Sequence, residues 1–379
     1  MTDKNRQKGA EPLLLTPGPL TTSLTVKESM LKDLGSRDSE FIELNQRICE
    51  RLLELCNASS SHRCVPVQGS GTFAVEAMIG TLVPKTGKVL NLVNGAYGKR
   101  ISEICKYLGR ECVEHVVPEN RALEAAAVKQ ALDEHADVSH VCMVYCETTS
   151  GILNPLEDIA EVVKSEGRSL LVDAMSAFGA LRLDLSNTQV DAVAASSNKC
   201  LQGVPGMAFV LVNNELLRAS KGNSHSLALD LREQYKSMKG NGQWRFTPPV
   251  HCLLALDRAL EELVAEGGVK ARRKRYRENC QVLRDGMRAL GFKTYLTEQA
   301  QAPIIVTFLT PPNPAFDFAT FYTSLGQKGF VIYPGKVTKA DTFRVGCIGA
   351  IGSDEMHAFI SAVQSTLSDL GMEDLTSMS

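Results

Sequence analysis

The sequence predicts an α/β protein: a large unit with a mostly parallel sheet flanked by helices, followed by a smaller C-terminal α+β unit. Short apolar runs bounded by turn residues alternate with segments of helical spacing, the pattern of strands buried on both faces. After residue 250 a long helical stretch gives way to a few short strands, which sets the second unit apart. The 379 residues are 44% hydrophobic and 22% charged, sufficient for two packed units and ordinary for a soluble globular protein.

In chain order, "RICERLLELC" (47–56) has helical spacing, and "GTFAVEAMIGTLV" (71–83) resumes it after a glycine turn. "KVLNLV" (88–93), "HVCMVYC" (140–146), "SLLVDAM" (169–175), "VDAVAAS" (190–196) and "MAFVLV" (207–212) read as buried strands. Helical patterns at 123–136 and 156–167 lie between them. Residues 251–291 read as long helical material, and "TYL", "APIIVTFL", "FVIYP" and "FRVGCIG" as the strands of the small unit. We therefore expect a flexible N-terminus (1–12), a large unit (13–265), a small unit (266–368) and a loose tail (369–379).

The net charge is −2, which gives no argument for nucleic acid or a membrane surface as partner. The basic run "KARRKRYREN" (270–279) has apolar residues at helical spacing and reads as the solvated face of a connecting helix. Eleven cysteines are scattered, without a Cys-x-x-Cys pair, so neither a metal framework nor a disulfide scaffold is indicated. They suit buried thiols in a reducing compartment, and no apolar run approaches roughly 18 residues. A cytoplasmic protein is expected.

One lysine stands in an odd place. Lys199 follows a run of small apolar residues and precedes a turn of glycine and proline, between two apparent buried strands. Ligands of parallel sheets bind at the carboxyl ends of strands, and other polar groups fall at such ends. In "VPVQGSGT", Ser70, Gly71 and Thr72 open a helix whose N-terminal N–H groups suit a phosphate. A dinucleotide reading of the same glycines needs an acid at the next strand end, where Asn91 and Asn94 stand instead. "VYCETTSG" offers Thr148 and Thr149, and Asp173 ends a very apolar run, where a carboxylate must be paired. A partly desolvated lysine can be neutral near pH 7 and condense with aldehydes. A phosphate cradle, a carboxylate for a pyridinium, strand-end hydroxyls and such a lysine together point to pyridoxal 5′-phosphate.

With these residues in view, "LLLTPGPLTTSLTVKESML", "VQGSGTFAVEA", "NGAYGKR", "CETTSGILNP", "SSNKCLQGVPGMAFV", "WRFTPPVH" and "GFVIYPGKV" resemble the 2-aminoethylphosphonate–pyruvate transaminase family, a branch of the fold-type I, class V aminotransferases. The resemblance spans about residues 13–365. It implies a seven-stranded sheet, Lys199 in Schiff-base linkage to the cofactor, and Asp173 on the pyridine nitrogen. It places Ser70, Gly71 and Thr72 at the phosphate, Thr148 or Thr149 at the ring oxygen, and Asn198 beside the lysine. It implies a homodimer in which Thr247 reaches the phosphate of the neighbouring subunit, with Arg344 and Ser23 binding substrate. The expected reaction moves the amino group of 2-aminoethylphosphonate to pyruvate; another class V activity, such as alanine–glyoxylate or serine–pyruvate transamination, is the alternative. Arg37 stands where the family carries a tryptophan and Cys347 where asparagine is usual, and both segments are expected near the substrate pocket.

Overall fold

The computed structural model describes residues 11–372 and residue 375. Most of the expected flexible N-terminus, and Glu373, Asp374 and 376–379 of the tail, lie outside the described residues. The chain begins with β1 (Leu13–Leu14), α1 (Leu24–Glu28) and α2 (Ser39–Glu54). There follow β2 (His62–Gln68), α3 (Gly71–Leu82), β3 (Lys88–Val93), α4 (Ala96–Tyr107), β4 (Glu111–Val116), α5 (Ala125–Glu134) and β5 (His140–Val144). A short hairpin, β6 (Cys146–Glu147) and β7 (Ile152–Leu153), leads to α6 (Leu156–Ser165), β8 (Ser169–Asp173), β9 (Ala192–Ser196) and β10 (Met207–Asn213). Helices α7 (Asn214–Ala219), α8 (Leu231–Asn241), α9 (Val250–Glu266) and α10 (Gly268–Ala289) come next. The chain closes with β11 (Ile305–Leu309), α11 (Phe318–Gln327), β12 (Phe330–Val331), β13 (Tyr333–Pro334), β14 (Thr342–Gly346) and α12 (Ser353–Asp369).

Seven strands form the central sheet in the order β2-β10-β9-β8-β5-β3-β4, and only β10 runs against the rest. Because strand side chains alternate faces, each central strand feeds two cores. Val141 and Met143 of β5 join Val172 of β8 and Phe209 of β10 beneath α2, α5, α6 and α9. Cys142, Val144, Leu171 and Val210 face the other way, onto α3 and α4. Phe209 is fully buried and meets Phe178 edge to face at 5.1 Å; burial of such a side chain contributes about 1.5–3 kcal/mol.

A separate core gathers Phe308, Phe321, Phe343, Val345 and Phe359 with Cys280, Leu283 and Met287 of α10. Phe343 is its hub, stacked on Phe308 at 5.5 Å and edge-on to Phe292 at 5.6 Å. The first strand of the chain belongs to this unit: β1 pairs in parallel with β12, and Leu15 is fully buried here. Met372 and Leu375 are buried here too, so the part of the tail within the described residues is packed, not loose.

Several elements differ from the sequence expectation. β4 was not expected; it is the sheet edge, where Glu111 and Glu114 are exposed and no continuous apolar run is required. The 251–291 helix is two helices, because Gly267 (φ +105°) and Gly268 (φ +75°) adopt left-handed backbone open to glycine. "FVIYP" divides between β12 and β13, which pair with different partners, and of "TYL" only Thr294 makes an isolated bridge, to Phe308. Among the described residues, no helix is long and apolar enough to cross a membrane.

Candidate active site

β2, β3, β5, β8 and β9 run in one direction, so their carboxyl ends open on the same edge of the sheet. The turns there deliver Ser70, Gly71 and Thr72, then Tyr97 and Arg100, then Thr148, Asp173, Asn198 and Lys199 to one cavity of about 260 Å³. Strand ends remote in sequence thus converge as parallel topology requires.

Asp173 ends β8 and is 6% exposed. Its Oδ1 accepts from the backbone N–H of Met175 at 2.9 Å. Burial, only partly opposed by that hydrogen bond, raises its pKa to about 6. Lys199 is shifted the other way: burial lowers its pKa, while the nearby Asp173 charge opposes the shift. Both groups line the cavity, yet among the described residues they form no ion pair with each other, and no hydrogen bond of the lysine amine is seen. Asp173 is therefore not a structural salt bridge. A ligand carrying one cationic and one electrophilic end would engage both.

The segment before α3 is shaped for an anion. Ser70 occupies the N-cap position with extended backbone (φ −77°, ψ 172°), and its side chain makes no capping hydrogen bond. The first N–H groups of the helix are therefore left to a ligand. A β carbon on Gly71 would lie 2.5 Å from Met175 Sδ, so the Met175 side chain packs into the space the glycine leaves. Gly18 is the more constrained: with φ +122°, its β carbon would fall 2.8 Å from Asn198 O and 2.9 Å from Lys199 Cδ. "LLLTPGPL" thus packs directly on the lysine.

The two threonines separate. Thr148 lines the cavity and its hydroxyl meets Ser176 Oγ at 2.6 Å. The Thr149 hydroxyl donates instead to Glu147 Oε1 at 2.7 Å. Glu147 is fully buried and also accepts from the N–H groups of Tyr97, Gly98 and Thr149; burial still raises its pKa. Arg344 is buried, donating from Nε to Pro334 O at 3.1 Å and from Nη1 to Thr148 O at 3.2 Å. It is close enough to Lys199 to push that pKa further down.

Other expected residues lie apart. Ser23 is outside the cavity lining; its hydroxyl caps α1 and donates to Glu262 Oε1 at 2.7 Å. Thr247 is exposed in a separate hollow with Phe73, Trp244 and Phe246, and does not reach the cavity of its own chain. Arg37 is exposed and does not line the cavity. Cys347 is fully buried in the small core, where a thiol fills apolar space, and lies outside the cavity lining.

Sequence reasoning missed the site's aromatic and its neighbours. Tyr97 lines the cavity, with the Arg100 guanidinium 4.8 Å from its ring centroid; its signals were its place just after a strand end and its presence in "NGAYGKR", one of the segments that carry the resemblance. The basic run on α10 is not simply a solvated face. Arg272 is 1% exposed, donating to Glu266 Oε2 at 2.7 Å and to the carbonyl oxygens of Cys200 (3.0 Å) and Leu201 (3.3 Å). Tyr276 Oη accepts from Gln202 Nε2 at 2.6 Å. α10 therefore braces the turn that follows Lys199, and only long-range contacts show it.

Comparison with known proteins agrees with this geometry. Residues 24–338 match the family described as Aminotransferase class-V. The chain is 50% identical over 364 residues to a 2-aminoethylphosphonate–pyruvate transaminase of Pseudomonas putida F1, covering 96% of this chain and 99% of the relative. It is 52% identical over 359 residues to the enzyme of that name from Pseudomonas aeruginosa UCBPP-PA14, covering 95% and 97%. Among solved structures, pyridoxamine–pyruvate aminotransferase from Mesorhizobium loti superposes with a TM-score of 0.89 at 23% identity, covering 98% of this chain and 95% of that one. Alanine–glyoxylate aminotransferase from Nostoc sp. gives 0.89 at 23% identity, covering 97% and 99%.

Proposed function

The chain belongs to the class-V aminotransferases, and from that premise we infer that it is a pyridoxal 5′-phosphate enzyme moving the amino group of 2-aminoethylphosphonate to pyruvate. The products are phosphonoacetaldehyde and L-alanine. The observation that carries the chemistry is that Lys199 and Asp173 share one cavity without neutralising each other. The choice of donor and acceptor rests on the relatives that are half identical over nearly the whole chain.

The donor set fits the cofactor. Ser70, Gly71 and Thr72 at the α3 N-terminus would hold its phosphate, and Asp173 would pair with its pyridine nitrogen. Thr148, which lines the cavity, is the better placed threonine for its ring oxygen, with Asn198 beside the lysine. When bound, pyridoxal phosphate supplies an aldehyde that condenses with amines and a ring that withdraws electrons from the adjoining carbon. The protein's own groups do the remainder. A ring N–H⁺ beside Asp173 would favour the ionised carboxylate, reversing the effect of burial and keeping that proton in place. Lys199, with its pKa lowered by burial, is the base that takes the proton from the donor's amine-bearing carbon. Arg344 has two donors fixed by backbone carbonyls, and its remaining N–H groups serve the anionic end of either substrate.

We further propose a cytoplasmic homodimer with shared sites. Phe73 (50% exposed) and Phe246 (48% exposed) flank the hollow that holds Thr247, and exposed aromatics grouped in this way suit a subunit contact. Thr247 would then serve the partner's phosphate. All eleven cysteines are free thiols, as a reducing compartment favours.

The test is an assay for aldehyde release and alanine formation with 2-aminoethylphosphonate and pyruvate, run beside serine–pyruvate and alanine–glyoxylate pairs. Strong turnover of the phosphonate and weak turnover of serine is the expected result. Preference for serine or alanine as donor would overturn the substrate assignment in favour of another class V activity.

A further inference from the structure

We propose that Lys336 reads the donor's phosphonate, supplying a positive charge that separates a doubly charged phosphonate from a singly charged carboxylate. This rests on the proposed function and adds a specificity-determining residue to it. Lys336 lies in the turn between β13 and β14, and its Nζ stands 4.8 Å from the ring centroid of Tyr97, a cavity-lining residue. Arg100 lies over the same ring, and Arg344 lies 5.8 Å from the Tyr333 ring at the base of the same turn. Three cations therefore gather at one end of the site.

Glu147 answers them only in part, its charge opposing the downward shift at Lys336 and at Arg344. Among the described residues Lys336 forms no ion pair, and Glu147, the nearby acid, is already occupied by Tyr97, Gly98 and Thr149. Lys336 is exposed, yet partial burial of the ammonium and repulsion from Arg100 and Arg344 lower its pKa against the opposing charge of Glu147. Such a cluster of like charges is held together at a cost that an anion would offset. Arg100 donates to Thr72 Oγ1 at 3.3 Å and so faces the proposed phosphate cradle of the cofactor. Lys336 has no such commitment and is left for substrate.

The turn carrying Lys336 is fixed at both ends. Gly335 N–H donates to Thr342 O at 2.8 Å, and a β carbon on Gly335 would collide with Thr342. Beyond the lysine, the N–H and hydroxyl of Thr338 donate to Glu119 Oε2 at 2.8 Å and 2.9 Å. Glu119 follows β4 and is buried, so this contact fastens a small-unit turn to the large unit. An ammonium held in place loses less freedom on binding than one on a free loop. A phosphonate can lose two protons, the second at a higher pH than a phosphate ester because carbon withdraws less charge than oxygen. In the mildly alkaline range used for the comparison it therefore carries close to two charges, whereas pyruvate carries one.

The test compares, at mildly alkaline pH, the wild-type holoenzyme with Lys336→Met, which keeps the apolar stem against Tyr97, and with Lys336→Arg. Kinetics for both substrates, inhibition by ethylphosphonate and by propionate, cofactor affinity and Tm would be measured. In Lys336→Met we expect the KM for 2-aminoethylphosphonate and the inhibition constant of ethylphosphonate to rise on the order of tenfold. The kcat, the pyruvate KM, the propionate constant, cofactor affinity and Tm should stay within about twofold or a few degrees, and Lys336→Arg should recover most of the loss. Equal losses for phosphonate and carboxylate, weakened cofactor binding (which would assign the lysine to the cofactor phosphate), or no change would each overturn the proposal. The ethylphosphonate and propionate arms report on Lys336 even if 2-aminoethylphosphonate proves not to be the donor.

Discussion

Replacing Arg272 with methionine probes the support beneath Lys199. Methionine preserves much of the stem's volume but removes the guanidinium, and with it the bond to Glu266 and the two bonds to the Cys200 and Leu201 carbonyls. Hydrogen bonds to a charged group contribute about 1.5–3 kcal/mol each, and breaking a buried pair costs about 3–5 kcal/mol. Two effects reduce the sum. The cost of burying the guanidinium is relieved, and Glu266 keeps Arg275, which donates to Oε1 at 2.8 Å and to Oε2 at 3.1 Å. We therefore expect a loss of about 3 kcal/mol in urea unfolding of the holoenzyme. Because the released carbonyls belong to the two residues after the lysine, kcat should fall on the order of ten- to a hundredfold at temperatures where the variant remains folded. The pH dependence adds a check. Burial pushes the Glu266 pKa up, but Arg275 and Arg272 outweigh it and leave the folded value below 4.5. A carboxylate depressed on folding contributes stability that is present above its unfolded pKa and lost as pH falls through the folded one. The gap between wild type and variant should therefore narrow below about pH 4.5. A variant within about 1 kcal/mol of wild type and with full kcat would refute the bracing role of α10.

Lys199→Ala should lower transamination by at least the roughly 10²–10⁴-fold that a positioned base contributes; a purified variant that transaminates at the wild-type rate would remove the lysine from the mechanism. Gly18→Ala places a β carbon against Asn198 O and Lys199 Cδ in left-handed backbone, so it should cost about 1–3 kcal/mol and depress kcat more than either KM, measured by steady-state kinetics and thermal melting. His140 is buried and its pKa is lowered by burial from 6.5 to about 4. On acidification the unfolded chain takes up that proton first, so stability is full above about pH 6.5 and erodes between 6.5 and 4. The contribution should be about 2 kcal/mol lower at pH 5 than at neutral pH; the loss should shrink in His140→Phe, and identical pH profiles of the two proteins would count against it.

Much of the site was legible in the sequence because parallel-sheet topology is itself legible. Short buried strands with polar residues at their ends say which side chains reach the ligand edge, and Asp173 and Lys199 were found in that way. Composition and periodicity likewise determined the α/β class. Local pattern said less where an element is half exposed or is set by one backbone angle, as at β4 and at the Gly267–Gly268 break. It gave no sign that the first strand would pair with β12, since pairing across more than three hundred residues leaves no local trace.

Only the tertiary structure decided which of two adjacent threonines faces the cavity, because Glu147 captures the hydroxyl of Thr149. It alone placed the guanidinium of Arg272 beneath the reactive turn and gathered Arg100, Lys336 and Arg344 at one end of the site. The physical reason is the same in each case. A residue's chemistry is written in its side chain, but its hydrogen bonds and its electrostatic surroundings depend on neighbours that folding brings from distant parts of the chain.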